Sequence, residues 1–199
     1  MDKNTDIHAL ISEFLQERSV IPLFSAPASR DDYQKSGVVP FLNSGGSYYF
    51  YVMKPIATRQ ELLPPKWQLC KGTRMCRSAA GGQWRDMRSG DKTSELQAEP
   101  LEFTSLREGH EELGLLPEQI KRFFDAGPYR FSSAKTGQEK HMWMFAAEVR
   151  SKEGFLPASH VAATTADRRW LTLDEFKVVG REDHLYILDD VQSKLKQQG

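Results

Sequence analysis

Arg107, Glu108, Glu111 and Glu112 lie within six consecutive positions of the segment SLREGHEELGL, residues 105–115. Residues three and four apart share a helix face, so this spacing predicts one helix with Glu108, Glu111 and Glu112 on one side and Leu106 and Leu113 directed to a core. Each like-charge pair at that spacing costs about 0.2–0.5 kcal/mol, and Arg107 offsets only part of it by pairing with Glu111 one turn on. A divalent cation would remove the conflict. Carboxylates are hard oxygen ligands; Mg2+ takes one or two of them together with waters and substrate phosphates, and Mn2+ suits the same donors. The competing reading is a solvated acidic face, the ordinary meaning of a charge run.

Other elements must position that helix. DIHALISEFLQ, residues 6–16, places Ile7, Leu10, Ile11, Phe14 and Leu15 at helical spacing behind an Asp cap. GVVPFL and SYYFYVMKP, rich in β-branched and aromatic residues and joined across NSGG, predict a hairpin, with a further strand through KWQLCKG. From Thr73 to Ala98 the apolar periodicity fades, which predicts a long loop or partly ordered insertion. After the acidic helix, EQIKRFF suggests a short helical turn, and strands resume in AGPYRFSS and KHMWMFAAEVR. In the latter, Met142, Met144 and Ala146 alternate with Trp143, Phe145 and Ala147, so both faces are apolar and the strand should be central. RRWLTLDEF reads as a strand running into a helix start, and HLYILDDVQSKLK as a closing amphipathic helix. Strands interleaved with helices imply an α/β fold with a mixed sheet between helical layers.

The chain has 199 residues, enough for one domain with a sizeable core. Its 27 basic and 27 acidic side chains cancel, so no global field draws it to nucleic acid or an anionic membrane. Cys70 and Cys76 lack a second Cys or His pair nearby, which argues against a zinc site or disulfide framework and for two reduced thiols. With no signal-peptide pattern and no apolar run of about 20 residues, a soluble cytoplasmic protein is expected.

Glu99, eight residues before Arg107, and Gly114 with Leu115 at the helix end complete a pattern. Together with Arg107, Glu108, Glu111 and Glu112 they resemble the Nudix box, G-x5-E-x7-R-E-U-x-E-E-x-G-U, where U is a bulky aliphatic. Two places depart. Thr93 stands where the leading glycine falls, Gly90 being three residues too early, and Gly109 replaces the aliphatic residue. In mid-helix that glycine costs about 1 kcal/mol against alanine, unless it permits close approach of a neighbouring element. WQLCKGTRM is similar to the segment W-x-h-P-K-G that precedes the box in this family, with Cys70 in place of proline. Gly72 would then serve as the leading glycine, and an insertion of about twenty residues would occupy 73–98, which loop-closure entropy tolerates.

The resemblance runs from Gly37 to about Leu188 and implies a Nudix-type α/β/α sandwich over 36–199, with 1–35 an N-terminal helix and lead-in. It also implies a metal-dependent hydrolase acting on a nucleoside diphosphate linked to another moiety, such as a nucleotide sugar, dinucleotide or dinucleoside polyphosphate. Glu108, Glu111 and Glu112 would hold Mg2+ or Mn2+, Arg107 would orient them, and Glu99 would brace the loop or add an outer ligand. The general base is one of the box glutamates or a later acid such as Asp167 or Glu182; His110 occupies an unconstrained slot of the motif.

Lys71, Gly72 and Arg74 lie beside the expected site mouth, where the two cations could meet phosphate oxygens. Across 71–92 the basic residues Lys71, Arg74, Arg77, Arg85, Arg88 and Lys92 outnumber Asp86 and Asp91, a patch that could reach a polyphosphate or, less favoured, an RNA 5′ end. Trp67, Tyr129 and Phe131 are candidate base-stacking surfaces, although strand aromatics more often serve the core. Pro128 and Tyr129 lie slightly too near the box to indicate a substrate subclass. Two other readings stay open: a nucleotide-binding or regulatory module without catalysis, and a protein docking through its terminal helices. A homodimer is also left open.

Overall fold

The structure is a computed structural model describing residues 6–23, 30, 33–56, 65–88, 91, 95–132, 139–155 and 165–198, with backbone alone at 131, 132, 140 and 166. Helix α1, Ile7–Glu17, begins where the Asp6 carboxylate accepts from the His8 and Ala9 amides, and it buries Ile11 and Phe14. Strand β1 (Val20–Pro22) follows, and then the hairpin β2 (Lys35–Ser44) and β3 (Ser47–Pro55). Gly45 and Gly46 turn that hairpin at φ 60° and 80°, a left-handed pair that side chains resist.

Strands β4 (Cys70–Thr73), β5 (Met75–Ser78), β6 (Arg85–Asp86) and β7 (Leu96–Ala98) lead to helix α2, Leu101–Glu108. The expected loop at 73–98 therefore carries strands: β5 is flanked antiparallel by β6 and β7 in a small sheet of its own. Short elements lacking apolar alternation gave no periodic signal. Likewise the helical turn expected in EQIKRFF is confined to a 3-10 turn at Pro117–Gln119. The rest belongs to the long strand β8, Ile120–Ser132. Strands β9 (Glu139–Val149) and β10 (Thr165–Leu171) and helices α3 (Leu173–Val179) and α4 (Glu182–Gln197) complete the chain.

The main sheet is mixed, in the order β1-β8-β9-β2-β3-β10, with β4 on the N-terminal half of β2. Pairs β1·β8 and β2·β9 are parallel, and the other pairs are antiparallel. Central strand β9 divides its side chains as its alternation predicts. Met142, Met144 and Ala146 enter the core that contains Phe176, Ile187 and Val191 of α3 and α4, whereas Trp143, Phe145 and Ala147 enter the core of α1 and α2. This is an α/β/α sandwich. No helix among the described residues is long and apolar enough to cross a membrane.

Candidate active site

Helix α2 does not run straight through the acidic segment. At Gly109 it widens into a π-helical turn, Gly109–Leu113, which ends at Gly114 in the left-handed conformation, φ 75°. The reason for glycine at 109 is contact with β2. A Cβ there would lie 2.7 Å from Val38 Cγ1 and 3.3 Å from Leu115 Cδ2. Close seating of the helix on the sheet thus outweighs the helix propensity lost.

Arg107 is buried and gathers the acids around it. Its Nε and Nη2 donate to the Glu99 oxygens, both at 3.2 Å. Nη1 donates to Glu108 Oε1 at 2.9 Å and Glu111 Oε2 at 3.1 Å, and Nη2 also reaches the Thr73 carbonyl at 3.0 Å. Burial works against this guanidinium's charge, but Glu108, Glu99 and Glu111 outweigh it and raise its pKa. Glu99 in turn accepts from the Met75 amide (3.2 Å) and the Thr104 hydroxyl (3.1 Å), tying β5 to α2.

Gly72 faces Glu108 directly: a Cβ on it would fall 1.8 Å from the Glu108 carboxyl carbon. Burial pushes the Glu108 carboxyl up to about 7, with Arg107 opposing and Glu112 and Glu111 adding to the rise. The neighbouring Glu112 accepts from the Lys71 amide at 3.2 Å and from the buried Cys70 thiol. Burial raises its pKa as well, while the Cys70 and Lys71 contacts restrain the shift. Lys71 is lowered by burial despite Glu112, with Arg181 and Lys35 adding to the fall. Lys71 thus lies beside Glu112, while the guanidinium of Arg181 is itself paired with Asp183 at 2.7 and 3.0 Å.

Among the described residues no three His, Cys, Asp or Glu side chains converge to hold a metal ion. The carboxylates are instead turned to Arg107, the Lys71 amide and Cys70. The donor set still fits a hard divalent cation. It supplies carboxylate oxygens within one turn, Mg2+ needs only one or two of them, and the acids stand close enough to raise one another's pKa.

Other candidates fall elsewhere. Arg74 does not face the site mouth: it is 6% exposed, and its guanidinium donates to the carbonyls of Glu99 (2.8 Å) and Tyr33 (3.1 Å), holding β4 and β5 in place. Tyr129 is not a stacking surface either. It is buried in the α3–α4 core, its hydroxyl donates to Asp190 at 2.6 Å, and burial with that bond raises its pKa. Trp67 belongs to the same core, while the Phe131 side chain, Gly90, Lys92 and Thr93 lie outside the described residues. The basic patch is dispersed, because Arg74 points inward and Arg85 pairs with Asp91 at 2.7 and 3.0 Å. Among the described residues neither Asp167 nor Glu182 bonds a box glutamate. Asp167 takes the Arg168 amide and pairs with Arg169, and Glu182 is exposed at the start of α4. His110 is half-buried in the π turn.

Sequence reasoning missed three participants. Arg168 on β10 donates from Nε to the Glu112 carbonyl at 2.5 Å, capping the turn that carries Glu112. The charge of Arg181 acts on Lys71, and Cys70 bonds Glu112. Only the thiol, by its place next to Lys71 and Gly72, carried any signal along the chain.

No family model matches the sequence, and no curated protein matches it. Solved structures do. Over 83% of this chain and 98% of its own, an Ap4A hydrolase of C. elegans superposes with a TM-score of 0.54 at 14% identity. The NUDIX domain of Shewanella oneidensis NrtR, solved with ADP ribose, gives 0.54 at 14% identity over 92% of this chain and 97% of its own. RenU, a Nudix hydrolase of M. smegmatis, gives 0.50 at 14% identity over 81% and 86%. With the box helix seated on a mixed sheet between helical layers, this chain has the Nudix fold.

Proposed function

We propose that the protein is a metal-dependent Nudix-type pyrophosphohydrolase, cleaving a pyrophosphate bond in a nucleoside diphosphate linked to another moiety. The observation that carries this reading is the placement of Glu108 and Glu111 on buried Arg107 and of Glu112 on the Lys71 amide, with Gly72 leaving the space that Glu108 occupies. Structural neighbours solved with ADP ribose or described as an Ap4A hydrolase support a nucleotide-type substrate.

Glu108, Glu111 and Glu112 would hold Mg2+ or Mn2+, which when bound neutralises pyrophosphate charge and lowers the pKa of water. Arg107 orients Glu108 and Glu111, while the Lys71 amide and Arg168 fix Glu112 from side chain and backbone. The Lys71 ammonium offers positive charge to phosphate oxygens. Among the candidates for the proton acceptor, the engagement of Asp167 and the exposure of Glu182 favour a box carboxylate.

The test is a panel of ADP-ribose, nucleotide sugars and dinucleoside polyphosphates with millimolar Mg2+ or Mn2+, followed by nucleoside monophosphate release. At least one substrate should be cleaved, and EDTA should abolish the cleavage. Nucleotide binding with no turnover on any substrate would favour a regulatory module instead.

A further inference from the structure

A cavity of about 450 Å3 opens between α1, the start of α2 and the small sheet's strands β5 and β7, with Trp84 just before β6. Its size falls within the roughly 300–1,000 Å3 of small-molecule sites. It is built largely from the N-terminal helix and the 73–98 segment, the parts that lie outside the family resemblance, and nothing in the proposed hydrolysis uses it.

Its walls are aromatic. Trp84 lines it and is 41% exposed, in contrast to Trp67 at 7% and Trp143 at 1%. On the α-helical wall His8 and Phe103 form a tilted ring pair with centroids 5.4 Å apart. A half-exposed indole lining a cavity together with two other rings suits a flat, π-rich guest. A positive charge is fixed beside it: the Arg77 guanidinium lies over the Trp84 ring at 4.9 Å, and its Nε donates to Gln97 Oε1 at 2.7 Å. Among the described residues nothing pairs with the terminal amino groups of Arg77. Held at one nitrogen and stacked on a ring, this fork is preorganised for an anion that takes two hydrogen bonds.

We infer that this cavity is an accessory nucleotide site, taking a nucleoside monophosphate with its base against Trp84 and its phosphate on Arg77. Glu99 lines the same cavity while its carboxylate holds Arg107. An occupant therefore adjoins Glu99, one bond removed from the arginine that orients the box acids. The inference stands independently of whether the box hydrolyses anything, since it concerns binding alone.

Calorimetric titration of AMP into the full chain, with EDTA present to suppress metal-dependent binding at the box, tests it. The variants are Trp84→Ala in the cavity wall, Arg77→Gln beside it on the Trp84 ring, and Lys71→Ala at the box, each checked by circular dichroism for the native fold. The wild type should bind AMP, the Trp84 and Arg77 variants should each weaken binding tenfold or more, as loss of a stacking surface or a phosphate partner does, and Lys71→Ala should leave it unchanged. No binding by the wild type, wild-type affinity in the Trp84 or the Arg77 variant, or an equal loss in Lys71→Ala overturns the inference.

Discussion

The two faces of the main sheet solve the same packing problem in different ways. Against α3 and α4 the sheet buries Phe41, Phe50, Val52, Met144, Phe176, Ile187 and Val191, with few polar groups among them: His184 accepts from the Leu69 amide, and Tyr129 donates to Asp190. Against α1 and α2 it buries a cluster of charges, in which Arg107, Glu99 and Glu108 share hydrogen bonds and Glu112 leans on the Lys71 amide. Replacing a buried ion pair by apolar residues is often neutral or stabilising, and the opposite face demonstrates that this sheet can be covered without one. The difference teaches that the charged face carries a requirement beyond folding, and strongly perturbed buried groups are where function is to be sought.

The contrast can be broken most forcefully on the apolar side. Phe176→Ala should cost about 3–5 kcal/mol of stability, as emptying a large core site does, because the ring is fully buried. Urea unfolding should show the loss, while turnover of the remaining folded protein stays within about twofold. A large fall in turnover would mean that the two faces are not separable.

On the charged side the expectation reverses. Gly72→Ala drives a Cβ into the Glu108 carboxyl group, so turnover should fall about a hundredfold, roughly 2.7 kcal/mol of transition-state stabilisation, with the circular dichroism spectrum retained. Unchanged turnover would show that the position of Glu108 is not critical.

Gly109→Ala sharpens the comparison, because helix propensity and packing predict opposite signs. Propensity alone promises a gain of about 1 kcal/mol. The 2.7 Å approach to Val38 Cγ1 predicts instead a loss, of about 1–3 kcal/mol by overpacking. Thermal or urea unfolding decides between them.

The smallest effect is on pH dependence. In the metal-free protein Glu108 keeps its proton to about pH 7, against an ordinary value of 4.5, and Glu112 is shifted in the same direction. Between those values the folded chain holds more protons than the unfolded one, so stability falls as pH rises from about 4.5 through 7 and levels off above. Glu108→Gln should flatten that slope in EDTA-treated protein, and a slope identical to wild type would contradict the burial of this carboxyl.

Along the chain, the elements with a strong period could be read directly: the Asp6-capped α1, the Gly45-Gly46 hairpin, two-faced β9 and closing helix α4. The spacing of Arg107 and the glutamates likewise placed them on one turn. Arg74 and Tyr129 were misread because side-chain direction depends on tertiary contacts. A cation beside a glycine and an aromatic in a strand look the same whether they face a cleft or a core. The π turn and the Arg168 cap were invisible for a related reason, since both arise from how β2 and β10 approach a helix distant in sequence.

The account's central claim is that the carboxylates of the box turn over a nucleotide pyrophosphate, and glutamine substitution tests it most directly. Hydrolysis by Glu111→Gln and Glu112→Gln should be compared with that by Glu95→Gln and Glu118→Gln, exposed acids outside the box, on a substrate the wild type cleaves under Mg2+ excess. The box variants should be folded and slower by about a hundredfold or more, with the two controls near wild type. Folded box variants that match the wild-type rate would contradict the claim and move the chemistry elsewhere in the molecule.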